Sequence, residues 1–196
     1  LNKEAKYRAI VIGASAGGLR ALKALLPALP HDFPCPILIV QHISPKSDNY
    51  MSRMLNEASA IHVKEADEKE KLRAGTAYIA PPDYHLLVEA DQTLSLSADD
   101  KVNYSRPSID VLFESAADAF GSQLIGIVLT GANADGAEGL LAVKRAGGYT
   151  LVQDPEDAES KAMPLAAIHL VNPHSILRLD EIIRLLLKPG FILPAI

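Results

Sequence analysis

The run Arg8-Ala9-Ile10-Val11-Ile12-Gly13-Ala14-Ser15-Ala16-Gly17-Gly18 decides the fold. Arg8 to Ile12 is short, largely apolar and closed by Gly13, which marks a buried strand. Beyond the glycines, Leu19, Leu22, Leu25, Leu26 and Leu29 recur at helical spacing until Pro30 stops them. A strand, a glycine turn and a helix in that order open a parallel sheet.

The pattern repeats outward. Pro36 to Val40 is a second apolar run, as expected of a strand covered on both faces. Ser47 to Ala58 reads as a helix and Ile61 to Ala66 as a short strand. Then Thr76 to Ala80, His85 to Glu89 and Thr93 to Ser97 are short and split by Pro81-Pro82-Asp83 and Asp91-Gln92, which predicts antiparallel hairpin strands. Alternation resumes with a helix from Pro107-Ser108 to Phe120, a strand over Leu124 to Leu129, a helix from Gly136 to Ala146 and a strand over Tyr149 to Gln153. Ala158 to His169 has helical character despite Pro164, and Asp180 is placed to cap a last helix, Glu181 to Leu187. The expectation is a doubly wound α/β fold: a mostly parallel sheet, helices on both faces and an antiparallel hairpin insertion. Residues 1–196 are expected to form one domain, with the insertion at about 76–98.

Composition narrows the function. Hydrophobic residues at 48% and charged residues at 22% fit a globular domain with a core of its own. A net charge of −5, without basic runs or aromatic platforms, argues against nucleic acid. No apolar stretch is long enough to insert in a membrane, and the N-terminus has no signal-peptide core, so the cytoplasm is expected. The first residue is not methionine, as in an excerpt from a longer chain. Cys35, the single cysteine, forms no internal disulfide and reads as a small buried hydrophobe.

Three motifs close strand-like runs: Gly13 to Gly18, Gln41-His42 and Gly131 to Gly136. In a parallel sheet these ends share one rim, where ligands bind. Gly13-Ala14-Ser15-Ala16-Gly17 fits the G-x-S-x-G turn that exposes a nucleophilic hydroxyl beside free helix amides. The same glycines fit a dinucleotide phosphate cradle or a plain structural turn. The cradle expects an acid at the end of the next strand, where Gln41-His42 stand instead. Imidazole can activate a hydroxyl near neutral pH, which makes His42 a candidate base, with His85 its rival. Asp135 could orient that imidazole. It also reads as half of a capping box with Glu138, while Asp154 and Asp83 are rival acids. No histidine pair has metal-ligand spacing, so no metal is expected.

As an ordered set, several segments resemble the catalytic domain of the chemotaxis protein-glutamate methylesterases, the CheB type. They are Val11 to Gly18, Val40-Gln41-His42, Tyr78-Ile79-Ala80-Pro81-Pro82, Arg106 to Phe113, Leu129-Thr130-Gly131 with Asp135-Gly136, and Met163-Pro164. The resemblance covers about Arg8 to Leu187 and implies hydrolysis of glutamate methyl esters on chemoreceptors, with release of methanol. It implies Ser15 as nucleophile, His42 as base and Asp135 as acid, with Ala16, Gly17, Ala132 and Met163 around the oxyanion and substrate. It also implies deamidation of receptor glutamines and neither metal nor organic cofactor. The partners it implies are methylated cytoplasmic receptor helices, and a receiver domain or methyltransferase in the same or a separate chain. Ala16 stands where threonine is common in that family, and Ala132-Asn133 where Met-Gly is usual. Two other readings remain: a Rossmann-like nucleotide-binding oxidoreductase, and a catalytically silent receptor-binding module.

Overall fold

The computed structural model describes residues 7–44 and 48–192. Seven strands form one parallel sheet: β1 (Ala9–Ala14), β2 (Ile37–Gln41), β3 (His62–Glu65), β4 (Thr76–Ile79), β7 (Leu124–Val128), β8 (Tyr149–Gln153) and β9 (Ser175–Leu177). Their order is β3-β4-β2-β1-β7-β8-β9. The chain therefore builds outward from β1 on one side, then returns to its other side with β7. That reversal opens a crevice at the carboxyl ends of β1 and β7.

Strand periodicity sorts the core into two layers. Ile10, Ile12, Ala14, Ile37 and Ile39 face α1 (Gly18–Leu25), α2 (Tyr50–Ala58) and α6 (Leu179–Leu186). Ala9, Val11, Leu38 and Val40 face α3 (Ile109–Phe120), α4 (Ala137–Arg145) and α5 (Ala162–Val171). The doubly wound sheet and the hairpin insertion both follow the sequence expectation. So does Cys35, which is fully buried, with its thiol pushed up to about 12 by desolvation.

The insertion is smaller than its sequence pattern implies. Among the described strands, β5 (His85–Val88) and β6 (Leu94–Ser97) alone pair antiparallel. Thr76–Ile79 instead joins the main sheet between β2 and β3, buried at all four positions. No helix separates β3 from β4, so the segment lacks the spacing that usually betrays a parallel crossover. Strand β9, three residues at the sheet edge, has no counterpart in the sequence reading.

Two helix boundaries also differ. Helix α6 starts at Leu179, after Arg178, and Asp180 lies in its first turn, paired with Arg184. The amide of Arg178 is capped by Glu181 Oε2 at 2.9 Å. Pro164 is accommodated in the first turn of α5, where its missing N–H removes no helical bond. The expected start of α2 at Ser47 lies outside the described residues.

Helices α3 and α4 approach closely near the rim because Gly139 has no side chain. A Cβ there would lie 2.7 Å from Phe113 Cβ and 2.9 Å from Asp110 Cα. Alanine favours a helix by about 1 kcal/mol over glycine. Overpacking against atoms that cannot swing away costs about 1–3 kcal/mol. Gly139→Ala should therefore lose up to about 2 kcal/mol in urea unfolding. Increased stability would show that the two helices can separate freely.

Candidate active site

The sheet register brings the first two candidates together. Ala14 is the parallel ladder partner of Gln41, and the amide of His42 donates to Ala14 O at 3.0 Å. Ser15 and His42 are thus the next pair on strands roughly 4.8 Å apart. His42 continues the row Leu38-Val40 toward α3 and α4, whereas Ser15, one residue past β1, lines the cleft beside α1. Both are partly exposed at the rim.

The third candidate arrives from β7. Its chain end is locked to the serine turn: the Ser15 amide donates to Thr130 O at 3.0 Å, and Thr130 Oγ1 donates to Ala16 O at 2.8 Å. Four residues beyond Gly131, the buried carboxylate of Asp135 meets His42, with Oδ2 at 2.8 Å from Nε2. Nε2–H must be the donor to an ionised carboxylate, which leaves the lone pair on Nδ1. Asn133 Nδ2 lies 3.5 Å from Nδ1, in keeping with that tautomer.

Asp135 does not cap its own helix. The N-cap of α4 is Gly136, at φ 96°, and it makes no side-chain bond. The capping-box reading with Glu138 therefore fails. The carboxylate caps α3 instead. Oδ2 accepts the Ile109 amide at 2.7 Å, while Oδ1 accepts the Asp110 amide at 3.2 Å and Ser108 Oγ at 2.8 Å. Asn103 Nδ2 adds a further donor to Oδ1 at 3.1 Å. Burial works to raise the pKa of this group, but the bonds from His42, Ile109, Asn103 and Ser108 outweigh it and hold it down at about 2.

Sequence reasoning missed four residues of this site: Gln41, Asn103, Ser108 and Asp110. Gln41 is buried, and its Nε2 donates to Ser15 O and His42 O, each at 2.9 Å, so one amide clips together the backbones of two site residues. Its signal was present in Gln41-His42, where an amide closes an otherwise apolar strand. Asp110 is buried in the first turn of α3. Desolvation raises its carboxyl to about 6, against the pull of the Gly139 amide and with the help of the neighbouring Asp135 charge.

The rival residues lie elsewhere. His85 Nδ1 accepts the Ser108 amide at 3.1 Å, and its other nitrogen donates to Asp100 O. Asp154 bonds its own turn through the Glu156 amide at 2.9 Å. Asp83 pairs with Arg106 at 2.8 Å.

Of the secondary candidates, Ala16 and Ala132 are exposed at the rim, and the amides of Ala16, Gly17 and Ala132 have no acceptor among the described residues. Gly17 takes φ 80° at the N-cap of α1. Met163 is different. It is 1% exposed and packs beneath Gly131, where a Cβ would lie 2.9 Å from Met163 Cβ. Its side chain lies against the Gly131 backbone at the start of the β7–α4 loop. Beside Ser15 a cleft of about 440 Å³ runs along α1, lined also by Gly17, Leu19, Arg20, Lys23 and Glu159.

The family model described as CheB methylesterase matches residues 10–186. The chain belongs to the CheB methylesterase family. It is 50% identical over 182 residues to a Leptospira interrogans protein named putative protein-glutamate methylesterase/protein-glutamine glutaminase. That match covers 93% of this chain and 94% of the relative. A Symbiobacterium thermophilum protein-glutamate methylesterase/protein-glutamine glutaminase is 37% identical over 175 residues, covering 89% of this chain but 48% of the relative. The crystal structure of the Thermotoga maritima CheB methylesterase catalytic domain superposes with a TM-score of 0.88 at 35% identity, over 92% of this chain and 97% of that one. Neither the oxidoreductase nor the silent-module reading gains support from these relatives. No helix among the described residues is long and apolar enough to cross a membrane.

The two carboxylates act on stability in opposite directions. Burial raises the Asp110 carboxyl to about 6, above the ordinary carboxylate range, so the folded protein binds its proton more tightly. Stability therefore rises as pH falls through about 6 toward the ordinary carboxylate range. Asp135, at about 2, contributes stability that is present above 3.8 and lost as pH falls toward 2. Urea unfolding between pH 7 and 4 should show the wild type gaining stability relative to Asp110→Asn. Parallel curves for the two proteins would contradict the buried, ionised placement of Asp110.

Proposed function

We propose that residues 1–196 form a catalytic domain that hydrolyses glutamate methyl esters on the cytoplasmic helices of chemoreceptors. The observation that carries this reading is the 2.8 Å contact of His42 Nε2 with buried Asp135, on a histidine that, like Ser15, stands one residue beyond the Ala14–Gln41 ladder pair. The family, shared with methylesterases over almost the whole chain, supplies the substrate class.

The chemistry follows from the free nitrogen. His42 Nδ1 takes the Ser15 hydroxyl proton as Oγ attacks the ester carbonyl, and Asp135 stabilises the imidazolium that results. The carbonyl oxygen gains a negative charge, which the amides of Ala16 and Ala132 receive in this reading. Such a donor contributes about 10²–10³ in rate. The intermediate collapses, the C–O bond to methoxide breaks, and the proton on Nδ1 passes to it to give methanol. Water then loses a proton to Nδ1 and attacks the acyl-serine. This releases the glutamate carboxyl and restores the hydroxyl. A glutamine side chain follows the same course with ammonia as leaving group, which accounts for the glutaminase half of the relatives' names.

The site is an open rim rather than a closed pocket, which suits an ester carried on a helix surface. The domain works in the cytoplasm without metal or organic cofactor. A receiver domain or a methyltransferase, in the same or a separate chain, is its regulatory partner.

Ser15→Ala should abolish methanol release from methylated receptor membranes while its melting curve stays close to wild type. Asp135→Asn should also slow turnover strongly, because an amide cannot hold the Nε2–H tautomer in the same way. Full activity in Ser15→Ala would remove the assignment of the nucleophile.

A further inference from the structure

Asp135 and Asp110 are exchanged between two helices. Asp135, just before α4, caps α3 through the Ile109 and Asp110 amides. Asp110, in the first turn of α3, caps α4: its Oδ1 accepts the Gly136 amide at 2.9 Å and the Gly139 amide at 2.7 Å. Each helix start therefore holds the other's carboxylate. Moving Asp110 moves the backbone that carries Asp135.

One side chain joins the two acids. Asn103 Nδ2 donates to Asp110 Oδ2 at 2.7 Å and to Asp135 Oδ1 at 3.1 Å. Asn103 stands in an exposed two-residue turn with Tyr104, at φ 50° and 61°. The turn is closed by mutual bonds between Val102 and Ser105. Both left-handed positions fit a tight hairpin turn, where asparagine is favoured. The surrounding segment is tied to the β5–β6 insertion. His85 reaches Asp100 O at 3.1 Å, and Arg106 reaches Ala98 O at 2.6 Å and Asp83. The insertion thus delivers one amide to the buried carboxylate pair.

We propose that Asp110 and Asn103 are positioning residues for the His42–Asp135 pair. Asp110 fixes the backbone of Asp135 through the helix exchange. Asn103 bridges the two like charges and adds a third donor to Asp135 Oδ1, beside Ser108 Oγ and the Asp110 amide, while Oδ2 faces His42. This role rests on the triad reading given above.

The bridge depends on the ionisation of Asp110. The groups around it are Asp135 on the β7–α4 loop, His42 behind Asp135 just past β2, His85 of the insertion through Ser108, Glu138 on α4 and Glu114 on α3. Oδ1 is already filled by two backbone amides, so an added proton goes to Oδ2, the oxygen that Asn103 uses. Acidification therefore weakens the bridge at Asp110 first, since Asp135 stays ionised at lower pH.

The test uses the ¹⁵N-labelled chain and a methanol-release assay on methylated receptor membranes. The side-chain amide signals of Asn103 should titrate with a midpoint near 6, where the Asp110 carboxyl titrates, and lose that titration in Asp110→Asn. Asn103→Ala should still fold with one cooperative melting transition, at a lowered melting temperature, because alanine is strained at φ 50° and the two carboxylates lose a shared donor. It should lose about tenfold in kcat with KM within about twofold, as expected when geometry rather than binding is disturbed. The double variant should be no slower than the slower single variant, because the two residues act as one unit. An Asn103→Ala kcat within twofold of wild type, a loss confined to KM, or additive losses would overturn the positioning role. A flat Asn103 signal beside an inactive Ser15→Ala overturns the bridge alone. A titrating signal beside a fully active Ser15→Ala overturns the triad, and the positioning role with it.

Discussion

One carboxylate joins the sheet, the helices and the chemistry. Asp135 is fully desolvated on its side chain, and it is tolerated because five donors converge on its two oxygens. An unpaired charge in that position would cost several kcal/mol. The donors come from the residue that follows β2, from the start of α3 and from the loop after the insertion. Each of those elements must therefore be in place before the acid can sit beside His42. The close approach of α3 and α4 across Gly139 serves the same end, since it brings two helix starts within reach of each other's acids.

The pairing of Asp135 with Nε2 sets which nitrogen does the chemistry. With the far nitrogen tied down, Nδ1, nearer the imidazole stem, is the one presented to the rim. Thr130 and Gln41 then hold the nucleophile's turn against the strands on either side, through Ala16 O on one flank and Ser15 O with His42 O on the other. Orientation on rigid strand ends, rather than enclosure, is the means of catalysis that this arrangement offers.

Much of this was legible in the sequence, for physical reasons that differ by residue. Buried parallel strands leave continuous apolar runs, so β1, β2, β7 and β8 stood out, and their ends gave Ser15, His42 and Asp135. Strand β4 misled because the ten residues before it form no helix, and β9 because three residues carry too little pattern. Asp135 next to Glu138 imitated a local cap, whereas its partners are remote in sequence and belong to another helix. Asp110 lay inside the quoted Arg106–Phe113 motif without any sign that it was buried. Asn103 had no signal at all: an asparagine in a polar loop is ordinary until the fold sets it over two acids.

The tautomer of His42 is the most direct measure of the central claim. In the chain carrying ¹⁵N-labelled histidine, the His42 ring at neutral pH should show a proton on Nε2 coupled to Asp135 and a bare Nδ1, with the Nε2 signal shifted by Asp135→Asn. A proton resident on Nδ1 with a bare Nε2 would contradict the account.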